Sequence, residues 1–216
     1  MPYNYIEDLI AEANLDDIQA YLSKNPDAVK ESTSFDVSPL MLSCYYNKPE
    51  ITRLLLNFNT DIDFFEACVI NKFDVVANHI FNRPEIVNEY YHNGYTGLGL
   101  AAYFGNEEIA RYLVLKDAEV NLPSNNAYGV FPLHSAAAGN FTAIAKMLIE
   151  NKAEVNIAQA SGITPLHSAA QHGNIELIIM LLEKGATVDI RMEGGKLPAD
   201  LAYDNGFVEI AEILAI

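Results

Sequence analysis

The sequence has no tryptophan and only two cysteines, and its cations are few: 13 Lys plus Arg against 29 Asp plus Glu. Each scarcity removes a class of protein. Two cysteines in 216 residues cannot build a disulfide framework. A formal charge of −16 repels phosphate backbones, so nucleic acid is not expected as a partner. No apolar run approaches the roughly 18 residues that cross a membrane, so no membrane partner is expected either. The first dozen residues carry acids where a signal peptide carries cations, and the expected location is cytoplasmic. What is plentiful is apolar surface, half of all residues, which is enough for a folded core. The excess acid would draw in a partner with a basic surface, or else serve only solubility.

One period organises the chain. Asn14, Asn47, Asn71, Gly105, Asn140, Gly173 and Gly206 each separate two short apolar segments, at intervals of 33, 24, 34, 35, 33 and 33 residues. Asn and Gly tolerate the left-handed backbone that ends a helix, so the column reads as seven turns between paired helices. Ser38-Pro39 and Thr164-Pro165 set a capping hydroxyl before a proline, a helix start, while Phe131-Pro132 and Leu197-Pro198 keep only the proline. The segments after the column, such as Ile144 to Leu148 and Leu177 to Leu181, have helical apolar spacing.

Thr164-Pro165-Leu166-His167-Ser168-Ala169-Ala170 with Gly173, followed by Leu181-Leu182-Glu183-Lys184-Gly185-Ala186-Thr187-Val188-Asp189, resembles the ankyrin-repeat consensus almost position for position. The stretch from Pro132 to Asn156 is similar, and that from Thr96 to Asn121 is similar with Gly97 and Gly99 in place of Pro and His. The resemblance implies an all-α repeat solenoid of about seven stacked ankyrin repeats, helix-turn-helix units joined by β-hairpin loops. The whole chain reads as a single domain, residues 1–216, with repeats at about 1–31, 32–63, 64–89, 90–122, 123–157, 158–190 and 191–216. Asn25 to Lys30 and Arg83 to Asn88 resemble the family's longer alternative ending. The 24-residue interval implies that the third repeat lacks its hairpin, between Asp63 and Ala67, and the 35-residue interval puts two extra residues in the segment Asn121 to Asn126. Terminal repeats of a stack are atypical. The first is acidic (Glu7, Asp8, Glu12, Asp16, Asp17), and the last ends on Ile210, Ile213 and Leu214, read as a packed final helix, the alternative being an exposed apolar end that would invite a partner or a dimer.

Candidate chemistry is thin. Cys44 and Cys68 share one repeat position, where later repeats have Ala, and read as small core residues too far apart to bridge. His134 and His167 also recur with the repeat. The resemblance implies that they support the turn, and one His per layer of about 10 Å cannot converge on a metal. His79 reads as packed, and Gly194-Gly195 as hairpin-turn chemistry. Asn121 and Asn156 stand at the family's loop position, which is hydroxylated in some eukaryotic members, but a structural hydrogen bond is the default reading. No catalytic residue, metal or cofactor is expected, and the protein is not read as an enzyme.

The resemblance further implies binding through the hairpin tips and the exposed ends of the first helices. Carried over by position, this selects Phe35, Tyr45, Tyr46, His92, Tyr95, Tyr103, Phe104, Tyr128, Ile163, Gln171 and His172 as partner-binding residues. Seven of these are aromatic and fall in repeats two to five, an arrangement suited to recognition because rings bring contact area at low entropic cost. The alternative is that neighbouring repeats cover the rings. The expected function is a protein-binding adaptor or inhibitor-like scaffold, monomeric, holding another protein. Peptide or small-molecule binding in the aromatic groove is the second reading, and an undetected enzyme the third.

Overall fold

A computed structural model describes residues 5–59 and 61–215. Packing divides the chain into two compact units, residues 1–82 and 83–216. Among the described residues both are built from helices, and β-structure is limited to one antiparallel bridge between Tyr90 and Thr96. The architecture is an all-α repeat solenoid of short helix pairs.

The first unit holds α1 (Tyr5–Glu12), α2 (Leu15–Lys24), α3 (Pro39–Tyr45), α4 (Pro49–Phe58), α5 (Phe64–Val69) and α6 (Phe73–Asn82). Helices pair in sequence, and α3 packs between α1 and α5. The second unit holds α7 (Gly97–Tyr103), α8 (Glu107–Leu115), α9 (Pro132–Ala138), α10 (Thr142–Glu150), α11 (Pro165–Gln171), α12 (Ile175–Glu183), α13 (Pro198–Asp204) and α14 (Val208–Leu214). There α7, α9, α11 and α13 form one layer, and α8, α10 and α12 pack in a second. The two alternative endings, Pro26–Lys30 and Pro84–Asn88, are 3₁₀ turns opened by proline.

Six members of the Asn/Gly column adopt the left-handed backbone, with φ between +52° and +85°. The first repeat departs from the expectation. Its left-handed residue is Ala13, at φ +60°, while Asn14 caps α2 by accepting the Asp17 amide. An N-cap needs a side-chain acceptor beyond the turn, and Asn14 serves there instead.

Between repeats of the second unit run tight turns rather than paired strands. Tyr91 donates its amide to the Tyr95 carbonyl, Gln159 to Ile163 and Met192 to Lys196, each closing a five-residue turn. The fifth-repeat turn closes from Ser124 to Val130 and is two residues longer. The two extra residues therefore fall between Ser124 and Gly129, overlapping at Asn125 and Asn126 the segment Asn121 to Asn126 that the spacing suggested. Successive tips are tied by single backbone bonds, Asn125 to Gly94, Ala160 to Tyr128 and Glu193 to Ser161. In the first unit α4 ends at Phe58 and α5 begins at Phe64.

Candidate functional site

The layers are fastened by side chains that recur with the repeat. In α11, His167 sits in the first turn. Its Nε2–H donates to the Lys196 carbonyl of the next repeat, leaving Nδ1 to accept the Thr164 amide and hydroxyl at 3.1 and 2.8 Å. His134 makes the same outward bond, to the Ile163 carbonyl at 3.0 Å. Phe131 replaces the threonine there, and the buried His134 Nδ1 is left without a partner. Burial holds both imidazoles below their usual pKa, His134 at about 4. These histidines are fasteners, held neutral, in line with the turn-supporting role.

Three asparagines form a second set of clasps. Asn88, Asn121 and Asn156 each donate to a carbonyl one repeat onward (Asp117, Lys152 and Gly185) and accept an amide there (Glu119, Glu154 and Thr187), at 2.7 to 3.2 Å. The loop hydrogen bond expected of Asn121 and Asn156 is thus present.

In the first unit the corresponding fastener is a residue that the sequence reading passed over. Glu66 is the third residue of α5, as His134 and His167 are of α9 and α11, though one residue nearer its turn; it is buried and accepts the Ser38 hydroxyl at 2.6 Å and the Asn59 amide group and Asp63 amide at 3.2 Å each. Burial raises its pKa, and the nearby Asp63 adds to the effect against the hydrogen bonds that lower it. Asp63-x-x-Glu66 is a capping-box pattern, and that was the legible signal.

Reactive groups do not assemble. Among the described residues no group of three His, Cys, Asp or Glu side chains is placed to hold a metal. The thiol pKa values of Cys44 and Cys68 are raised by burial, the second well above the usual range. His79 packs edge-on against Phe64.

None of the eleven candidate binding residues is buried. In the second unit Tyr103, at the end of α7, stacks edge-on with Phe104 at 5.0 Å between centroids. Tyr95, half-buried at its turn, lies close enough to the Tyr103 and Tyr128 hydroxyls for both to raise its pKa, behind the larger effect of its own burial. Tyr103 is 45% and Tyr128 66% exposed. His92 is exposed at the same turn, its ring against Tyr91. Toward α11 the group is more polar: Ile163 is half-buried, Gln171 exposed, and His172 donates from Nε2 to the Ala138 carbonyl at 2.8 Å. In the first unit Phe35 is 57% exposed, and Tyr45 and Tyr46 close α3 half-buried and exposed respectively. Two shallow cavities, of about 350 and 380 Å³, are lined by other residues: Gly206 to Ile210, and Glu154 to Ile157.

Comparison with known proteins agrees with this geometry. A family model described as ankyrin repeats (3 copies) matches residues 64–159 and 144–216. The chain is 27% identical over 128 residues to alpha-latrocrustotoxin-Lt1a and 26% identical over 117 residues to delta-latroinsectotoxin-Lt1a, both of Latrodectus tredecimguttatus. Those matches cover 56% and 50% of this chain but 9% and 10% of the two toxins, so the chain spans about a tenth of the curated relatives it matches. No helix among the described residues is long and apolar enough to cross a membrane. Ankyrin repeats are in general protein–protein interaction modules and typically non-enzymatic scaffolds. With its left-handed turn column, its interlayer His and Asn fasteners and a family match over most of its length, the chain belongs to the ankyrin-repeat family.

Proposed function

We propose that the protein is an adaptor or inhibitor-like binding module whose second unit holds a loop or helix of a partner protein against Tyr95, Tyr103, Phe104 and Tyr128. The observation that carries the reading is exposure: Tyr103 is nearly half and Tyr128 about two-thirds exposed around the half-buried Tyr95, although rings of this size gain most from being covered. His92, Ile163, Gln171 and His172 flank them as adaptable contacts. Phe35, Tyr45 and Tyr46 offer a further aromatic surface in the first unit. The acidic surface favours a partner that is basic where it lands, and a monomeric, cytoplasmic, single-domain protein belongs to the same reading.

The test is the double substitution Tyr103→Ala with Phe104→Ala. Proteins retained by the immobilised wild-type chain from its source cell should be lost, with affinity falling about tenfold or more, while the melting temperature stays within a few degrees. A large fall in melting temperature would show the rings to be core, and undiminished retention would remove them from the binding surface. The association rate should also drop as salt rises.

A further inference from the structure

The last helix of the second unit leaves uncovered what its predecessors bury. Four residues past the turn, Ile109, Ile144 and Leu177 are buried, but Ile210 is only half covered. Seven residues past it, Met147 is 4% exposed and Tyr112 and Met180 are half-buried, whereas Ile213 is 50% exposed. The turn itself repeats the contrast. At Gly105 and Gly173 an added Cβ would meet the ring of Phe141 or Phe207 from the following repeat at 2.5 and 2.4 Å, whereas at Gly206 it would meet nothing within 4 Å. The cavity of about 350 Å³ lined by Gly206, Phe207, Val208, Glu209 and Ile210 opens there.

We infer that this end of the second unit is a docking surface for a basic amphipathic helix of a partner protein, distinct from the aromatic surface above. Three observations select that occupant. A further stacked repeat fits poorly, because the position three before the turn holds fully buried Ala102, Ala137 and Ala170 where layers pack, and here it holds Tyr203, 65% exposed. A ring in that place needs space that closely packed helices do not leave. A second copy fits poorly as well. Residues 198–215 contain four acids, of which Asp204 is paired with Lys196 at 2.6 Å, and no Lys or Arg of their own, and the first repeat is acidic too, so either self-contact brings like charges together. What remains complementary is a helix with an apolar stripe, matching Ile210 and Ile213 at helical spacing, flanked by Lys or Arg to meet Asp200, Glu209 and Glu212.

The test uses the full chain with two synthetic amphipathic helical peptides of Leu and Phe, one carrying lysines on its polar face and the other glutamates. The lysine peptide should bind, and its NMR shift changes should fall on α13 and α14. The glutamate peptide should not bind. Tyr203→Ala with Ile213→Ser, both exposed and therefore tolerated by the fold, should weaken binding about tenfold or more without moving the melting temperature. Tyr103→Ala with Phe104→Ala should leave this binding unchanged, so the two surfaces are read separately. Undiminished binding by the Tyr203/Ile213 variant, or shift changes confined to other helices, would overturn the inference. So would self-association of the wild type that this variant abolishes, since the occupant would then be a second copy.

Discussion

Acidification should weaken the second unit through His134 in a way that can be calculated. The side chain is 2% exposed, its Nε2–H is committed to the Ile163 carbonyl, and burial holds its pKa at about 4 against the usual 6.5. Because the folded-state value is the lower one, the unfolded chain takes up the proton first as pH falls. The stability linked to this group is therefore present above pH 6.5 and is lost progressively down to about pH 4. The gap amounts to roughly 3 kcal/mol at about 1.4 kcal/mol per pH unit, and about 2 kcal/mol of it disappears between pH 7 and pH 5. Carboxylates titrate in the same range, so the measurement is a difference. Urea unfolding of wild type and His134→Gln at pH 7 and pH 5 should show the variant less stable at pH 7, with the gap narrowing by about 2 kcal/mol at pH 5. NMR titration of the imidazole should place its midpoint near 4. A gap independent of pH, or a midpoint near 6.5, would show that the ring is not desolvated as the packing implies.

Two further outcomes follow from the same kind of contact. Gly105→Ala should cost about 2 kcal/mol or more, since the methyl would sit on Phe141 at φ +74°, whereas Gly129→Ala, with open space around it, should cost only the left-handed penalty of about 1 kcal/mol; thermal unfolding of both variants makes the comparison. Glu66 has the opposite linkage to His134. Its folded-state pKa is raised above the ordinary 4.5, so the first unit loses stability as pH rises through that window. Glu66→Gln should flatten the loss, and an unchanged slope in urea unfolding from pH 4.5 upward would refute the assignment.

The architecture was legible because one backbone conformation favours two residue types. Asn and Gly at a fixed interval are the chemical trace of positive φ, and Asn47, Asn71 and Asn140 take it as the glycines do. The reading slipped at Ala13 because local capping by Asn14 outweighed the rule. It located the two extra residues of the fifth-repeat loop only to a segment that the long turn shares at Asn125 and Asn126, since spacing counts residues between markers without saying where they bulge. Glu66 escaped notice because a carboxylate there replaces a histidine only in the context of Ser38 and Asn59, and Ser38 lies in the preceding repeat. The eleven candidate binding residues were legible as a set of positions but not as exposure. Whether Tyr103 is covered depends on the size of residues one layer away, and the openness of Ile213 depends on the absence of any such layer among the described residues.

The asparagine clasps carry a consequence for how the second unit comes apart. The amides of Glu119, Glu154 and Thr187 find their acceptors on side chains one repeat earlier, so each amide's protection from solvent hydrogen reports on its neighbour as much as on itself. A loop that depends on adjacent loops for its own bonds cannot open alone. Fraying should then advance inward from an end, one clasp at a time, and exchange measured at those three amides would give the order in which the layers let go.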